Sequence, residues 1–155
     1  MSPVYVRCVE QPDSEIIAVV AALEEEAFGR GGLNEWHLPV IARYGRLYVL
    51  FEGEQIVGAA SLVRDWTAGT AYLFDLVIAN EARRRGYGRY LMEEVIAHIG
   101  GEDISQIELT VAPDNWQAVG LYESLGFSMT KALKDEYGKG QDRLKMVYEL
   151  SADRG

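Results

Sequence analysis

A run of arginines and glycines at positions 83–88, Arg-Arg-Arg-Gly-Tyr-Gly, is the feature of this sequence that most directly indicates chemistry. It lies between an apolar stretch, 71–78, and an amphipathic stretch, 87–99, so we predict a strand, a tight basic turn and a helix beginning at the second glycine. The first N–H groups of a helix lack intrahelical partners, and its dipole places partial positive charge there. Because glycine lets a phosphate approach the backbone, the sequence predicts an anion-binding turn.

Two nucleotide-binding motifs share the glycines of this turn but not the rest of its pattern. A Rossmann fingerprint requires a third glycine, where this chain has Leu91, and a βαβ setting, whereas the preceding strands indicate an antiparallel meander. A Walker loop requires Gly-Lys-Ser/Thr, which the turn lacks. Both nucleotide interpretations are therefore weak, and the spacing Arg-x-x-Gly-x-Gly is the more informative signal.

A second signature occupies residues 115–127, Asn-Trp-Gln-Ala-Val-Gly-Leu-Tyr-Glu-Ser-Leu-Gly-Phe. Together the two signatures resemble the GNAT N-acetyltransferase superfamily, in which the turn holds the pyrophosphate of acetyl-CoA and the second stretch holds its pantetheine arm. The resemblance covers nearly the whole chain in element order and is specific in residues 72–127. It implies the GNAT fold, an α/β (α+β) architecture with a mixed, mainly antiparallel twisted central sheet flanked by helices.

The resemblance assigns acetyl-CoA, as co-substrate, to particular residues. Residues 83–88 would surround the pyrophosphate, mostly through backbone N–H groups, with a side-chain contact from the next arginine. Backbone groups of the preceding strand would pair with the pantetheine amides, and Asn115 would hydrogen-bond the same arm, cap a helix, or do both. The expected cofactor-binding residues are Leu76, Ile78, Arg83, Arg84, Arg85, Gly86, Tyr87, Gly88, Arg89 and Asn115.

The implied reaction is direct attack of a neutral amine on the thioester, without an acyl-enzyme. An alkylammonium has a pKa of about 10.4, so its deprotonation needs assistance. By resemblance, Tyr122 is the catalytic acid that protonates the departing thiolate, and a strand N–H near Ile78 stabilises the oxyanion. Many family members carry a glutamate where this chain has Tyr72. Asp75, on the same otherwise apolar strand, would hold or deprotonate the substrate ammonium, or would be a structural carboxylate.

Several other residues are weaker candidates for the acceptor site. Three consecutive glutamates, 24–26, end the first helix beside a glycine-rich loop where this superfamily often builds that site, although a solvated helix face is the simpler interpretation. Trp36, His37, Trp66 and Tyr137 would line the site or pack elsewhere. The two histidines of the chain lack partner cysteines and HExxH spacing, so we predict no metal site.

Eleven elements, in the order β-α-α-β-β-β-α-β-α-β-β, must position these residues. Asp13 or Ser14 would cap the first helix, Asn34 the second and Asn115 the fourth, which Gly126 would end. The first helix should bury Ile16, Val19 or Val20, Leu23 and Phe28. The expected strands are 3–10, 46–52, 55–65, 71–78, 104–111, 127–132 and 143–150, and the expected helices are 13–28, 34–42, 87–99 and 115–125.

Length and composition restrict the classes of protein. The 155 residues suit one domain, expected over 1–150, with a frayed tail at 151–155. The net charge of −9 argues against a nucleic-acid partner and suits either a cationic substrate or plain solubility. No apolar run approaches the about 20 residues of a membrane span, so no membrane partner is expected. No secretory signal is visible and Cys8 is the single cysteine, so we expect a cytoplasmic protein.

The sequence therefore predicts an acetyl-CoA-dependent N-acetyltransferase, an acyltransferase that acts on a primary amine in a ternary complex. A small cationic amine is the favoured acceptor, followed by protein N-termini or lysines and then aminoglycosides. The alternative from another class is a non-catalytic acyl-CoA-binding sensor, which Tyr72 favours and the pair Asn115 and Tyr122 disfavours. A homodimer is expected from the family, with residues 145–150 as an exposed edge strand.

Overall fold

The computed structural model describes residues 2–150, and it contains the eleven expected elements in the expected order. Two one-turn 3-10 segments, Gly29–Gly31 and Asn80–Ala82, are additional. The predicted frayed tail at 151–155 lies outside the described residues. The elements are β1 (Val4–Val9), α1 (Ser14–Phe28), α2 (Leu38–Tyr44), β2 (Arg46–Glu52), β3 (Gln55–Arg64), β4 (Thr70–Ile78), α3 (Tyr87–Ile99), β5 (Gln106–Val111), α4 (Trp116–Leu125), β6 (Ser128–Leu133) and β7 (Arg143–Glu149).

Seven strands form one mixed sheet in the order β1-β2-β3-β4-β5-β7-β6, which confirms the predicted fold class. The pairs β1–β2, β2–β3, β5–β7 and β6–β7 are antiparallel, and β4 pairs in parallel with β5 through Thr70–Tyr72 and Gln106–Glu108. The expectation that residues 145–150 form an exposed edge was wrong. Strand β7 bonds to β5 on one side and to β6 on the other, so β6 is the outer strand at that end.

Two compact units divide the chain. The first comprises the chain up to Val63 together with Leu73–Val95, and the second comprises Arg64–Tyr72 together with the chain from Ile96 onward. Strand β4 and helix α3 each pass from one unit to the other. The expectation of a single domain over residues 1–150 remains a prediction. Across residues 2–150, no helix has both the length and the apolar character that a bilayer crossing requires.

The core of the first unit packs α1 and α2 on the sheet, and α1 follows its predicted pattern with one exception. Asp13 caps the helix, because its Oδ1 accepts the N–H groups of Glu15 at 2.9 Å and Ile16 at 3.1 Å. Phe28, predicted to be inward, is 49% exposed. It is the last residue of the helix, and the backbone leaves the helical path at the next residue, a glycine with φ 60°. The buried cluster contains Val9, Ile16, Ile17, Val20, Ala21, Leu33, Leu38, Ile41, Ala42, Leu47, Val49, Phe51, Ala59 and Val77.

The second helix starts later than predicted. Asn34 does not cap α2 itself but a preceding turn, in which its Oδ1 accepts the N–H of Trp36 at 2.8 Å. Its backbone oxygen accepts the N–H of Leu38 at 3.0 Å, where α2 begins. Pro39 lies in the first turn of α2, a position that proline tolerates because N–H groups there have no helical partner. One turn of chain therefore separates the capping residue Asn34 from the start of α2.

Candidate functional site

The turn between β4 and α3 has the backbone geometry of an anion-binding loop. Arg84 has φ 66° and Gly86 has φ 78°, so two left-handed residues curve the chain immediately before α3 begins at Tyr87. Such alternation directs successive N–H groups toward one point. The first helical bond runs from the N–H of Tyr90 to the oxygen of Gly86 at 3.0 Å, which leaves earlier N–H groups without helical acceptors. A Cβ built on Gly86 meets no atom within 4 Å, so the space beside this glycine is open.

Two of the arginines support the turn with their side chains. Arg83 donates from Nε to the backbone oxygen of Ile78 at 3.1 Å. Arg85 donates to the carboxylate of Glu52 at 3.2 Å and to the backbone oxygen of Glu81 at 3.1 Å. Both guanidinium groups are thus engaged with the protein. Their positions suit the prediction that this turn binds an anion mainly through its backbone.

The other two arginines face outward. Arg89 forms an ion pair of 3.3 Å with Glu93, one turn later on α3. Arg84 is exposed and, among the described residues, its side chain has no hydrogen bond or ion pair. No acidic residue lies in the first turn of α3, so nothing in that turn offsets the positive end of the helix dipole. Arg84 is therefore the arginine whose side chain is available to an anion.

The end of β4, which contains the predicted pantetheine-binding residues Leu76 and Ile78, is fixed by close packing against β3. The two residues are half-buried. A Cβ added to Gly58 would lie 2.7 Å from Ile78 Cδ1 and 3.0 Å from the backbone oxygen of Val77, so a larger residue at this position would displace its neighbours on β4. The backbone N–H that follows the strand, at Ala79, bonds to β3 at 2.8 Å. Packing and a hydrogen bond thus attach the end of β4 to β3.

Asp75 lies beside Glu24, and the two form a pair of carboxyl groups in the first unit. Burial, followed by the hydrogen bond and the charge of Glu24, raises the pKa of Asp75 to about 9. Oδ1 of Asp75 is buried and has no hydrogen-bond partner among the described residues. Asp75 consequently keeps its proton near neutral pH, which the sequence did not indicate.

Glu24 is an exception to the interpretation of residues 24–26 as a solvated helix face. A solvated helix face is right for the other two, which are exposed, but Glu24 is only 1% exposed. Its Oε1 accepts the N–H of Leu33 at 2.9 Å, just after the glycine-rich loop. Because α1 packs on the core, the Glu24 side chain points inward. There the N–H of Leu33 and the carboxyl group of Asp75 are its hydrogen-bond partners. Glu24 therefore links that loop to Asp75.

In the second unit, Tyr72 belongs to a polar cluster. Its hydroxyl lies 3.0 Å from Oγ1 of Thr110 and 3.3 Å from the hydroxyl of Tyr137, and burial raises its pKa to about 12. Arg143 donates to Oγ1 of Thr110 at 3.3 Å and lies over the ring of Tyr137 at 5.2 Å. Burial opposes ionisation of Tyr137, yet its hydrogen bonds to Thr110 and Tyr72 and the charge of Arg143 lower its pKa overall.

This cluster contains residues that sequence reasoning missed. Tyr137 was a weak candidate because it lies in a polar loop, but nothing in the sequence around Thr110 or Arg143 indicated a functional role. Thr110 is an ordinary residue of an alternating strand, and Arg143 is one basic residue at the start of another. The register of β5 on β7, in which Thr110 faces Lys145, brings these segments together. A linear sequence does not contain that pairing.

The second signature forms helix α4, also in the second unit. Asn115 is its N-cap, since its Oδ1 accepts the N–H of Ala118 at 3.2 Å; its amide N–H groups are not part of this cap. Tyr122 is buried and its ring meets that of Phe127 edge-on at 5.5 Å. Gly126 ends the helix with φ 111°, as predicted. The pattern Asn…Tyr…Gly-Phe thus builds one capped, packed helix.

The remaining candidates for the acceptor site are Trp36, His37 and Trp66. Trp36 and Trp66 are 84% and 99% exposed. His37 is exposed, and its Nδ1 accepts the N–H of Asn34 at 3.1 Å. Within residues 2–150, no group of three His, Cys, Asp or Glu side chains is arranged to hold a metal ion. These observations assign no role to the two tryptophans.

Comparisons with known proteins agree with the two signatures. A [Ribosomal protein bS18]-alanine N-acetyltransferase from Salmonella typhimurium is 31% identical over 96 residues, which are 60% of this chain and 65% of that protein. An L-2,4-diaminobutyric acid acetyltransferase from Chromohalobacter salexigens is 31% identical over 74 residues, 48% of this chain and 38% of the relative. The aligned parts thus span less than two thirds of either relative.

A solved structure shows the same fold. The GNAT family acetyltransferase from Elizabethkingia anophelis, with acetyl-CoA bound, superposes with a TM-score of 0.71 at 16% identity, covering 95% of this chain and 98% of that one. The sequence profile of the Acetyltransferase (GNAT) family matches residues 14–127, which include the basic turn, Asp75 and the capped helix with Tyr122. On this match the chain belongs to the GNAT acetyltransferase family.

Proposed function

We propose that this protein transfers the acetyl group of acetyl-CoA to a primary amine by direct attack in a ternary complex. The observation that carries the proposal is the turn at 83–88, where left-handed Arg84 and Gly86 precede the helix and the space beside Gly86 is open. That arrangement fits a diphosphate. When bound, acetyl-CoA supplies the thioester that the amine attacks.

The protein's own groups would then perform three tasks. The N–H groups of the turn and the Arg84 guanidinium bind the pyrophosphate. The end of β4, fixed by its close approach to β3, offers backbone groups to the pantetheine arm and an N–H near Ile78 to the oxyanion. Tyr122 protonates the departing thiolate from a helix that Asn115 caps. A rigid strand end supports such a role, because positioned donors need no reorganisation during the reaction.

Asp75 has a role at the acceptor side in this proposal. Because its carboxyl keeps a proton near neutral pH, it is a poor base in the free protein. Its unpartnered Oδ1 and its neighbour Glu24 nevertheless form a buried acidic pair that would hold a substrate ammonium, and the arriving cation would favour ionisation of Asp75. Deprotonation of the ammonium would then pass through this pair or through water.

A small cationic amine is the favoured acceptor, since a buried acidic pair and a net charge of −9 both attract cations. The diaminobutyric acid acetyltransferase among its relatives acts on such a molecule. A protein N-terminus is the second candidate, because the other relative is named for acetylation of a ribosomal-protein alanine. We expect a cytoplasmic protein, and a homodimer in solution, for which size-exclusion chromatography is the test.

The test is acetyl-CoA-dependent release of thiol with a panel of polyamines, diamino acids, aminoglycosides, peptides with free N-termini and lysine peptides. Saturable release with one class establishes the transferase and identifies its acceptor. Binding of CoA without release across the panel would favour a non-catalytic acyl-CoA sensor. Absence of CoA binding would contradict the assignment of the turn at 83–88.

A further inference from the structure

Glu52 is an acidic residue in contact with the basic turn, which is unexpected for a site that binds a polyanion. It is the last residue of β2, and its carboxylate accepts hydrogen bonds from two residues of the turn region. The hydroxyl of Tyr87 donates to Oε2 at 2.7 Å, and the guanidinium of Arg85 donates to the same atom at 3.2 Å. The side chains of Glu52 and Arg85 are 28% and 49% exposed.

These contacts hold the turn from both sides of its glycine. Arg85 precedes Gly86 and Tyr87 follows it, so one carboxylate fixes the residues that flank the left-handed glycine. Arg85 also donates to the oxygen of Glu81, which anchors the turn to the segment before it. A glycine adopts many backbone conformations when it is not restrained, and ordering it on binding costs free energy.

We infer that Glu52 is a positioning residue for the phosphate-binding turn: it orders residues 85–87 through Arg85 and Tyr87, and this favours CoA binding more than its negative charge opposes it. The inference rests on the proposed binding of CoA at this turn. It also assigns different tasks to neighbouring arginines. Arg85 is held by the protein as a support, whereas Arg84 is left for the ligand.

If Glu52 acted only through its charge, its removal would change the affinity for CoA in the opposite direction from its removal as a positioning residue. Loss of one negative charge beside a polyanion site should by itself tighten CoA binding. Loss of the hydrogen bonds from Arg85 and Tyr87 should leave the turn disordered in the free protein and weaken binding by about tenfold, or about 1.4 kcal/mol. The matched control is Glu54→Ala, which removes the same charge from the exposed β2–β3 turn two residues later.

The experiment is isothermal titration of CoA into the full chain and its variants. We expect Glu52→Ala to weaken binding about tenfold, Tyr87→Phe, which changes no charge, to weaken it about threefold, and Glu54→Ala to leave it unchanged or slightly tighter. In the Arg85→Gln background the effect of Glu52→Ala should shrink. The KM for acetyl-CoA should rise while kcat and the KM for the acceptor stay constant, which general destabilisation would not produce.

The outcomes separate this inference from the proposed function. If the wild type binds CoA and Glu52→Ala binds it equally well or more tightly, the inference fails and the proposed function stands. Should Glu52→Ala not fold, Tyr87→Phe decides, and unchanged affinity in that variant overturns the inference. If the wild type does not bind CoA, both proposals are wrong.

Discussion

Asp75 is the residue whose chemistry depends most on its neighbours. In the sequence it is an acidic residue in an apolar strand, and two roles remained open, ammonium holder or structural carboxylate. Its burial, followed by its hydrogen bond to Glu24 and the charge of Glu24, raises its pKa to about 9. The sequence placed Glu24 on the right helix but not on its inward face, because it is one of three consecutive glutamates, and only packing distinguishes them.

The raised pKa of Asp75 predicts a pH-dependent stability. Between about pH 4 and pH 9 the folded protein holds a proton that the unfolded chain releases, so the free energy of unfolding should fall as pH rises through this window. Asp75→Asn does not titrate there, so wild type should lose stability relative to this variant by up to about 1.4 kcal/mol per pH unit. Urea unfolding at pH 5 to 9 measures both slopes.

A control for this titration is Asp103→Asn. Asp103 is exposed, and its hydrogen bond and charge contact with Arg64 lower its pKa, so it stays ionised over the same window. That variant should retain the wild-type slope. Parallel slopes for wild type and Asp75→Asn would show that Asp75 does not carry a proton at neutral pH.

Tyr122 tests the proposed chemistry directly. Tyr122→Phe removes the hydroxyl and keeps the ring that packs on Phe127, so kcat should fall by roughly 100-fold while the Kd for CoA changes less than about twofold. Steady-state kinetics and titration give the two numbers. The matched control is Tyr148→Phe, which removes a hydroxyl from the other tyrosine whose ring packs on Phe127, at 5.4 Å, and should retain kcat. A Tyr122→Phe enzyme with wild-type kcat would remove the hydroxyl from the mechanism.

At the scale of elements, local patterns set most boundaries correctly. Helix α3 and strand β2 occupy the predicted residues, because a strong apolar period and glycine turns define them within a few residues of chain. Helix α2 was placed too early, since the cap at Asn34 belongs to a separate turn. Strand β7 was taken for an edge, because the insertion of a last strand between two others involves contacts that are distant in sequence.

The connection from α2 to β2 provides a stability test at this scale. A Cβ on Gly45 would lie 2.2 Å from the backbone oxygen of Leu62, which cannot move without disturbing β3. We expect Gly45→Ala to lower the free energy of unfolding by about 2–3 kcal/mol. A Cβ on Gly120, in α4, meets nothing within 4 Å, so Gly120→Ala should instead raise it by about 0.5–1 kcal/mol. Urea denaturation would refute the first expectation if Gly45→Ala matched wild type.

At the scale of the whole molecule, the net charge of −9 predicts salt-dependent kinetics. At saturating acetyl-CoA, kcat/KM for a polycationic amine should fall about threefold or more between 50 and 500 mM NaCl, because screening weakens attraction to an acidic protein. An amine acceptor without net charge is the control and should change little. Equal salt dependence for both acceptors would mean that charge does not select the substrate.

The sequence by itself determined the element order, the fold class and the capped helix with Tyr122, and it predicted an anion-binding turn, because each depends on residues that are near neighbours along the chain. Tertiary structure alone decided which glutamate is buried, that Asp75 holds a proton, that Thr110 and Arg143 join Tyr72, and that Glu52 holds the basic turn. Those properties arise from strand register and burial, which join residues far apart in sequence and change the free energy of their charges.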